Sequence, residues 1–148
     1  MKYYSYENFK QDTNELINKV KEYNPDAIVA IARGGLTIAH LMAEGLDIRN
    51  VQSLRTELYD KTDKRDNITI FNRCEFKDVS RVLVVDDIAD SGETFKAIME
   101  LLECENKDIE FKSAALFYKK TSIYEPHFWI NEANEWIEFF WEKDFNVK

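Results

Sequence analysis

The chain begins with a pattern typical of an amphipathic helix followed by a buried strand. Ser5 can cap the helix, whose apolar side chains share one face, and Pro25 closes this region. Those apolar side chains are Phe9, Leu16, Ile17, Val20 and Tyr23. The next run, Ala27 to Ile31, is short and continuously apolar, which predicts a buried strand. Ala32-Arg33-Gly34-Gly35 interrupts it before a helical pattern from Thr37 to Leu46, so a strand, a loop and a helix follow one another.

The same succession recurs in the second half of the chain. Val82 to Asp86 is the most strand-like run, and polar residues from Asp87 to Gly92 separate it from a helix predicted over about Glu93 to Cys104. Further strands are predicted at Val51–Leu58, Ile68–Phe71 and Phe111–Tyr118. Several buried strands joined by crossover helices favour an α/β fold with a mainly parallel sheet flanked by helices. In such a sheet, ligands bind at the carboxyl ends of the strands.

Two segments depart from this pattern. The very polar stretch Tyr59–Asn67 contains almost nothing that can pack, which predicts a mobile surface loop. Residues 119–148 carry all three tryptophans, Trp129, Trp136 and Trp141. We interpret residues 1–148 as one domain, with a core over about 1–118 and a small C-terminal hood over about 119–148.

Composition limits the functions that this fold can carry. The 148 residues include 20 Lys and Arg against 28 Asp and Glu, a net charge of −8, which argues against nonspecific binding to nucleic acid or acidic membranes. Any anionic ligand must therefore be held locally.

No apolar run approaches the ~20 residues of a membrane helix, and Met1–Lys10 lacks the features of a signal peptide, so we expect a cytoplasmic protein without stable membrane insertion. Cys74 and Cys104 are predicted to be free thiols, and His40 and His127 to be structural.

The clearest chemical pattern runs from Val82 to Thr94. Asp86 and Asp87 end a buried strand, where adjacent carboxylates repel each other unless sugar hydroxyls or a hydrated cation bridge them. The following Asp90-Ser91-Gly92-Glu93-Thr94 leads into a helix N-terminus, whose free N–H groups and hydroxyls can hold a phosphate. Each piece alone has a plainer interpretation as a solvated loop or a turn. Their order predicts a ribose 5-phosphate site.

The segment from Val82 to Thr94 resembles the signature of the type I phosphoribosyltransferases, which is a strand, an acidic pair, a short spacer and D-[TS]-G-x-T. Ser91 stands where threonine is more common. Glu93 must point away from the phosphate. The glycine-containing loop after the first buried strand is similar to that family's diphosphate loop. The resemblance implies that Arg33 and the backbone N–H groups of Gly34 and Gly35 hold the leaving diphosphate. It also implies a strained peptide before Arg33, which can be cis.

The polar stretch Tyr59–Asn67 matches the position of the family's flexible catalytic loop. Tyr59-Asp60 and Arg65 are similar to the bacterial xanthine-guanine branch, and the resemblance implies that Arg65 approaches phosphate. Closure of this loop would exclude water from a reactive sugar cation. A solvated, charged surface loop is the alternative interpretation.

The tail resembles the purine pocket of the same branch. Trp136-Ile137-Glu138-Phe139-Phe140-Trp141 matches its W-I-E-x-x-W segment, and the resemblance implies that Trp136 stacks on the purine and the Ile137 carbonyl meets its edge. Lys119, at the end of a predicted strand, would donate to the 6-oxo group, which disfavours adenine. Lys120 is adjacent and could take this role instead. The aromatic side chains could also be ordinary core.

The resemblance covers roughly residues 27–142 and implies a purine salvage enzyme. Guanine, xanthine or hypoxanthine would react with phosphoribosyl diphosphate to give the nucleoside 5'-monophosphate and diphosphate, through oxocarbenium character at the sugar. Mg²⁺ is the implied cofactor, with Asp87 as its ligand, while Asp90 and Arg65 are the implied catalytic residues. Asp90 also lies in the implied purine pocket. The implied phosphoribosyl diphosphate contacts are Arg33, Gly34, Gly35, Arg65, Asp86, Asp87, Ile88, Ala89, Asp90, Ser91, Gly92, Glu93 and Thr94.

Two other functions are weighed against this one. A phosphoacceptor receiver domain also contains V-L-V-V-D-D, but the 61 residues after Asp87 are too few for the rest of that fold. A regulatory protein that keeps the phosphoribosyltransferase fold to sense nucleotides, without catalysis, is the stronger alternative. The resemblance also suggests a homo-oligomer, either a dimer or a tetramer.

Overall fold

The computed structural model describes residues 1–58 and 68–145. The predicted catalytic loop, with Tyr59, Asp60 and Arg65, lies outside the described residues. The described strands are β1 (Lys2–Tyr4), β2 (Ala27–Ala32), β3 (Val51–Leu58), β4 (Ile68–Ile70), β5 (Arg81–Ala89), β6 (Glu110–Tyr118), β7 (Phe128–Glu132) and β8 (Ile137–Phe139). The described helices are α1 (Tyr6–Val20), α2 (Gly35–Leu46), α3 (Glu93–Glu105) and α4 (Phe140–Lys143).

The main sheet has six strands in the order β4-β3-β2-β5-β6-β7. All of its pairings are parallel except that of β3 with β4. One face of the sheet packs against apolar residues of α1 and α2, and the other packs against α3. The predicted α/β class with a mainly parallel sheet and flanking helices is therefore confirmed.

Local sequence signals explain most element boundaries. The Ser5 side chain accepts the Asn8 N–H at 3.1 Å and caps α1, whose buried residues lie on one face. The continuously apolar run from Ala27 is buried in β2, as expected for a central parallel strand. The predicted helices and strands at the remaining positions are present, with ends shifted by one or two residues in most cases.

One boundary differs in a way that affects the site. The acidic pair was predicted to end its strand, but β5 continues to Ala89. The pairing of Ile88 with Phe117 and of Ala89 with Tyr118 on β6 extends the ladder past the carboxylates. Asp86 and Asp87 therefore lie within the last part of β5, where the backbone fixes their direction.

The hood is built from both ends of the chain. The tail supplies β7 to the edge of the main sheet and β8 to a two-stranded parallel sheet with β1. Lys2 is paired with Ile137 in this small sheet, and Tyr4 with Phe139. The Tyr4 ring is buried with edge-to-face contacts to Phe117 and Phe139, which fastens the hood to β6.

The two cysteines and the two histidines differ in their surroundings. Cys74 and Cys104 are both free, and burial raises the pKa of the Cys74 thiol to about 11. His40 is exposed on α2, whereas the His127 Nδ1 accepts the Ser113 N–H at 3.1 Å. Burial, followed by the nearby Lys112, lowers the pKa of His127. No helix in the described ranges is long and apolar enough to cross a membrane.

Candidate active site

The loop between β2 and α2 lies directly against the carboxyl end of β5. The Ala32–Arg33 peptide is cis, a geometry that the resemblance allowed. A Cβ atom on Gly34 would lie 2.7 Å from Cγ of Asp87, and one on Gly35 would lie 3.1 Å from Cα of Asp86. Only glycine permits this approach, so the loop and the acidic pair form one surface.

The acidic pair is held at an energetic cost. Asp86 and Asp87 are half-buried, and the Asp86 Oδ1 accepts the Asp87 N–H at 2.8 Å. Burial raises the pKa of Asp86, and the neighbouring carboxylate of Asp87 raises it further. Burial also raises the pKa of Asp87 to about 6, with a further contribution from Glu142. A bound cation or a set of hydroxyl donors would offset this cost.

The largest cleft, about 750 Å³, lies between the Arg33 loop, the acidic pair and α4. Its lining is Ile31, Ala32, Arg33, Gly34, Leu36, Thr37, Thr56, Asp86, Asp87, Thr94, Trp141, Glu142 and Phe145. Thr37 and Thr56 are functional candidates that sequence reasoning missed. The position of Thr56 near the carboxyl end of a parallel strand was the available signal. The cleft can hold an anionic group beside Arg33.

A second cavity, about 160 Å³, surrounds the turn from Asp90 to Thr94, called here the phosphate turn. Gly92 has a φ of +87°, and α3 begins at the next residue. The Ser91 Oγ accepts the Glu93 N–H at 3.3 Å. Glu93 does not line the cavity, as expected of an acid at an anion site, whereas Ser91 and Thr94 do. The turn can present N–H groups and hydroxyls to a phosphate.

A third cavity, about 270 Å³, lies between the carboxyl ends of β5 and β6 and the hood. Its lining is Asp87, Ile88, Asp90, Lys119, Ala133, Asn134, Glu135, Trp136, Ile137, Phe139 and Glu142. The Lys119 Nζ lies 3.5 Å from the Asp90 Oδ1 in this cavity. Lys120 instead lies with its Nζ 3.6 Å from the Glu132 Oε1, outside the lining. The geometry therefore brings Lys119, and not Lys120, to the predicted base pocket.

The tail aromatics divide between core and cavity. Phe139 is buried and stacks on Trp141 with ring centroids 4.7 Å apart, so it belongs to the core while also forming part of the wall of the third cavity. Trp136 is 68% exposed and lines the third cavity. Its indole face can therefore contact a planar ligand.

The three cavities share walls. Asp87 lines the first and third, Thr94 lines the first and second, and Asp90 lines the second and third. Of the predicted site residues within the described ranges, all except Gly35 and Glu93 line at least one cavity. The arrangement can accommodate a molecule with an anionic group at two ends and a planar ring at a third. Predicted residues far apart in sequence are thus brought together.

The acidic pair offers two neighbouring carboxylates to a metal ion. Within residues 1–58 and 68–145, no group of three or more His, Cys, Asp or Glu side chains could hold a metal ion. Mg²⁺ commonly takes one or two carboxylates and completes its shell with water and ligand phosphates. Asp86 and Asp87 therefore fit a magnesium ion that binds together with a phosphorylated ligand.

The chain is similar to known phosphoribosyltransferases in sequence and in structure. The model of the phosphoribosyl transferase domain family matches residues 2–146. The xanthine-guanine phosphoribosyltransferase of Idiomarina loihiensis is 33% identical over 102 residues, which cover 66% of this chain and 62% of that protein. The match therefore spans less than two thirds of that curated relative.

Two solved structures are similar over almost their whole length. The Helicobacter pylori xanthine-guanine-hypoxanthine phosphoribosyltransferase has a TM-score of 0.90 and 38% identity, covering 97% of this chain and 94% of that one. The purine phosphoribosyltransferase of Pyrococcus horikoshii has a TM-score of 0.86 and 29% identity, covering 99% and 96%.

Proposed function

This chain belongs to the phosphoribosyl transferase domain family, and we propose that it is a Mg²⁺-dependent purine salvage enzyme. Guanine, xanthine or hypoxanthine reacts with phosphoribosyl diphosphate and yields the nucleoside 5'-monophosphate and diphosphate. The observation that carries the proposal is the meeting of three cavities at Asp87, Asp90 and Thr94. The reaction brings together three groups, the diphosphate, the sugar phosphate and the purine, and each of them would occupy one cavity.

The leaving group lies in the largest cleft. Arg33 and the N–H groups of the Gly34–Gly35 loop stabilise the charge that develops on the diphosphate as its bond to the anomeric carbon breaks. Arg65, which lies outside the described residues, is the second cation that the resemblance implies for this group. When bound, Mg²⁺ neutralises phosphate charge beside Asp87. The departing diphosphate takes the bonding electron pair, so the sugar acquires oxocarbenium character.

The sugar phosphate and the base occupy the two smaller cavities. Asp86 and Asp87 orient the ribose hydroxyls, and the phosphate turn holds the 5'-phosphate. Lys119 donates to the 6-oxo group and Trp136 stacks on the purine. As the base nitrogen bonds to the anomeric carbon, Asp90 accepts the proton that the purine loses.

Turnover of guanine, xanthine, hypoxanthine and adenine with phosphoribosyl diphosphate, monitored by ultraviolet absorbance, tests the proposal. We expect conversion of the three oxopurines but not of adenine, and a loss of about 10²-fold or more in kcat for Asp90→Ala. Asp108→Ala is the matched control, because Asp108 is exposed in the turn between α3 and β6. Its activity should equal that of the unmodified protein.

The turnover assay, together with a binding titration of nucleoside 5'-monophosphates, distinguishes the enzyme from the regulator. A protein that binds nucleoside 5'-monophosphates but converts none of the four bases would be a nucleotide sensor. The catalytic role of Asp90 would then be wrong, although the site and its cavities would still describe the ligand.

A further inference from the structure

Residues Ser122–Tyr124, called here the strap, pack against the phosphate turn. The Ile123 N–H donates to the Ser91 carbonyl at 2.9 Å. A Cβ atom on Gly92 would lie 2.7 Å from the Tyr124 backbone nitrogen, so the strap lies directly against the turn. The Ser122 Oγ accepts the Tyr124 N–H and donates to the Tyr124 carbonyl, which fixes the shape of the strap itself.

Tyr124 fastens the strap to the interior of the sheet. Its ring stacks on Phe95, in the first turn of α3, with centroids 5.4 Å apart and planes 15° apart. Its hydroxyl lies 2.6 Å from the Oγ of Ser113, a residue of β6 that is 0% exposed. That Oγ also accepts the His127 N–H at 3.2 Å and lies 3.0 Å from the His127 Nδ1. The hydroxyl of Tyr124 thus joins a buried, hydrogen-bonded group.

We propose that Tyr124 is a positioning residue for the 5'-phosphate of the sugar substrate. Tyr124 lines none of the three cavities, so it acts through the phosphate turn. A turn whose N–H groups already point at the phosphate binds it without a further cost of ordering. The strap supplies that order through Ser91 and Gly92, and Tyr124 connects the strap to Ser113. This inference rests on the proposed function, because it names the ligand that the turn receives.

A pair of conservative variants tests the inference. Tyr124→Phe removes the hydroxyl and keeps the ring on Phe95. Tyr23→Phe is the matched control, because the Tyr23 hydroxyl is also part-buried and donates to the carbonyls of Val82 and Glu110. These carbonyls lie at the amino ends of β5 and β6, away from the phosphate turn. Each variant loses one part-buried, hydrogen-bonded hydroxyl, but only the Tyr124 hydroxyl is connected to the phosphate turn.

We expect Tyr124→Phe to raise KM for phosphoribosyl diphosphate about three- to ten-fold, with kcat and KM for guanine within about two-fold. Calorimetric titration with ribose 5-phosphate, which contains the phosphate and sugar but no base, should show the same loss of affinity. Tyr23→Phe should change none of these values. Ser113→Ala reaches the same hydroxyl pair from the sheet, and its effect on KM should not add to that of Tyr124→Phe.

Three results would overturn the inference. Equal changes in Tyr124→Phe and Tyr23→Phe would indicate general loosening, and an unchanged KM and affinity in Tyr124→Phe would show that the strap does not order the turn. If the unmodified protein converts no base, the proposed function fails, yet the ribose 5-phosphate titration still decides the role of Tyr124. A protein that also fails to bind ribose 5-phosphate would refute both proposals.

Discussion

Asp86 and Asp87 destabilise the folded protein at the wall of the largest cleft. Two half-buried carboxylates at the end of β5 are poorly solvated and repel each other, and Glu142 adds a third negative charge nearby. The raised pKa of both aspartates is the measure of that cost. In the proposed function, the ligand or its metal would supply the missing positive charge.

Asp87→Asn should therefore stabilise the protein and abolish its turnover. Because the pKa of Asp87 is raised from its ordinary value to about 6, the folded state binds a proton that the unfolded state releases between these values. The free energy of unfolding of the unmodified protein should then fall as the pH rises from about 4 to 6. At pH 7.5 the variant should gain on the order of 2 kcal/mol, or roughly 4–8 °C in Tm.

Thermal unfolding at pH 5 and pH 7.5 provides the measurement, with Asp108→Asn as the control for loss of an exposed charge. The gain should be largest at pH 7.5 and roughly half as large at pH 5, which lies between the ordinary pKa of an aspartate and the raised pKa of Asp87. A variant that is less stable than the unmodified protein at pH 7.5 would show that the Asp87 carboxylate is satisfied in the folded state.

Lys119 and Lys120 permit a second test at the level of single residues. Both side chains are exposed, 51% and 69%, and each lies near one carboxylate, but only Lys119 lines the base cavity. A hydrogen bond from a charged donor contributes about 1.5–3 kcal/mol, so Lys119→Met should lower kcat/KM for guanine by about 10- to 100-fold. Lys120→Met should leave it within about two-fold. Equal losses in both variants would show that overall positive charge, not a contact to the base, is responsible.

At the level of elements, the sequence predicts what local patterns encode. The apolar run of β2 and the periodic apolar positions of α1 and α3 identify their elements, because burial on one face leaves a repeat in the sequence. The sequence also predicts the glycine-containing loop after β2 and the turn before α3, and both border the cavities of the site.

Elements defined only by distant partners were not predicted. β1 and β8 are three residues each, too short to show alternation, and they exist because the two ends of the chain pair with each other. The extension of β5 to Ala89 follows from its register with β6. Glu142 and Thr56 both line the largest cleft for the same reason, since only the folded topology brings α4 and β3 to one cavity.

At the level of the whole molecule, the proposed function requires an acidic protein to bind a polyanion. The net charge of −8 repels phosphoribosyl diphosphate at long range. The described charged residues that line the largest cleft are one cation, Arg33, and three carboxylates, those of Asp86, Asp87 and Glu142. A divalent cation bound with the ligand would offset this excess of negative charge.

Calorimetric titration of phosphoribosyl diphosphate in Mg²⁺ and in a chelator should accordingly give affinities that differ by at least about ten-fold, or 1.4 kcal/mol. The Asp87→Asn variant should show a smaller difference, because it removes the carboxylate that faces the cation while leaving Arg33 in place. Asp108→Asn should keep the full difference. Equal affinities with and without Mg²⁺ would mean that the cations of the chain suffice, with Arg65 as the first candidate, and Asp86 and Asp87 would then contact the sugar hydroxyls alone.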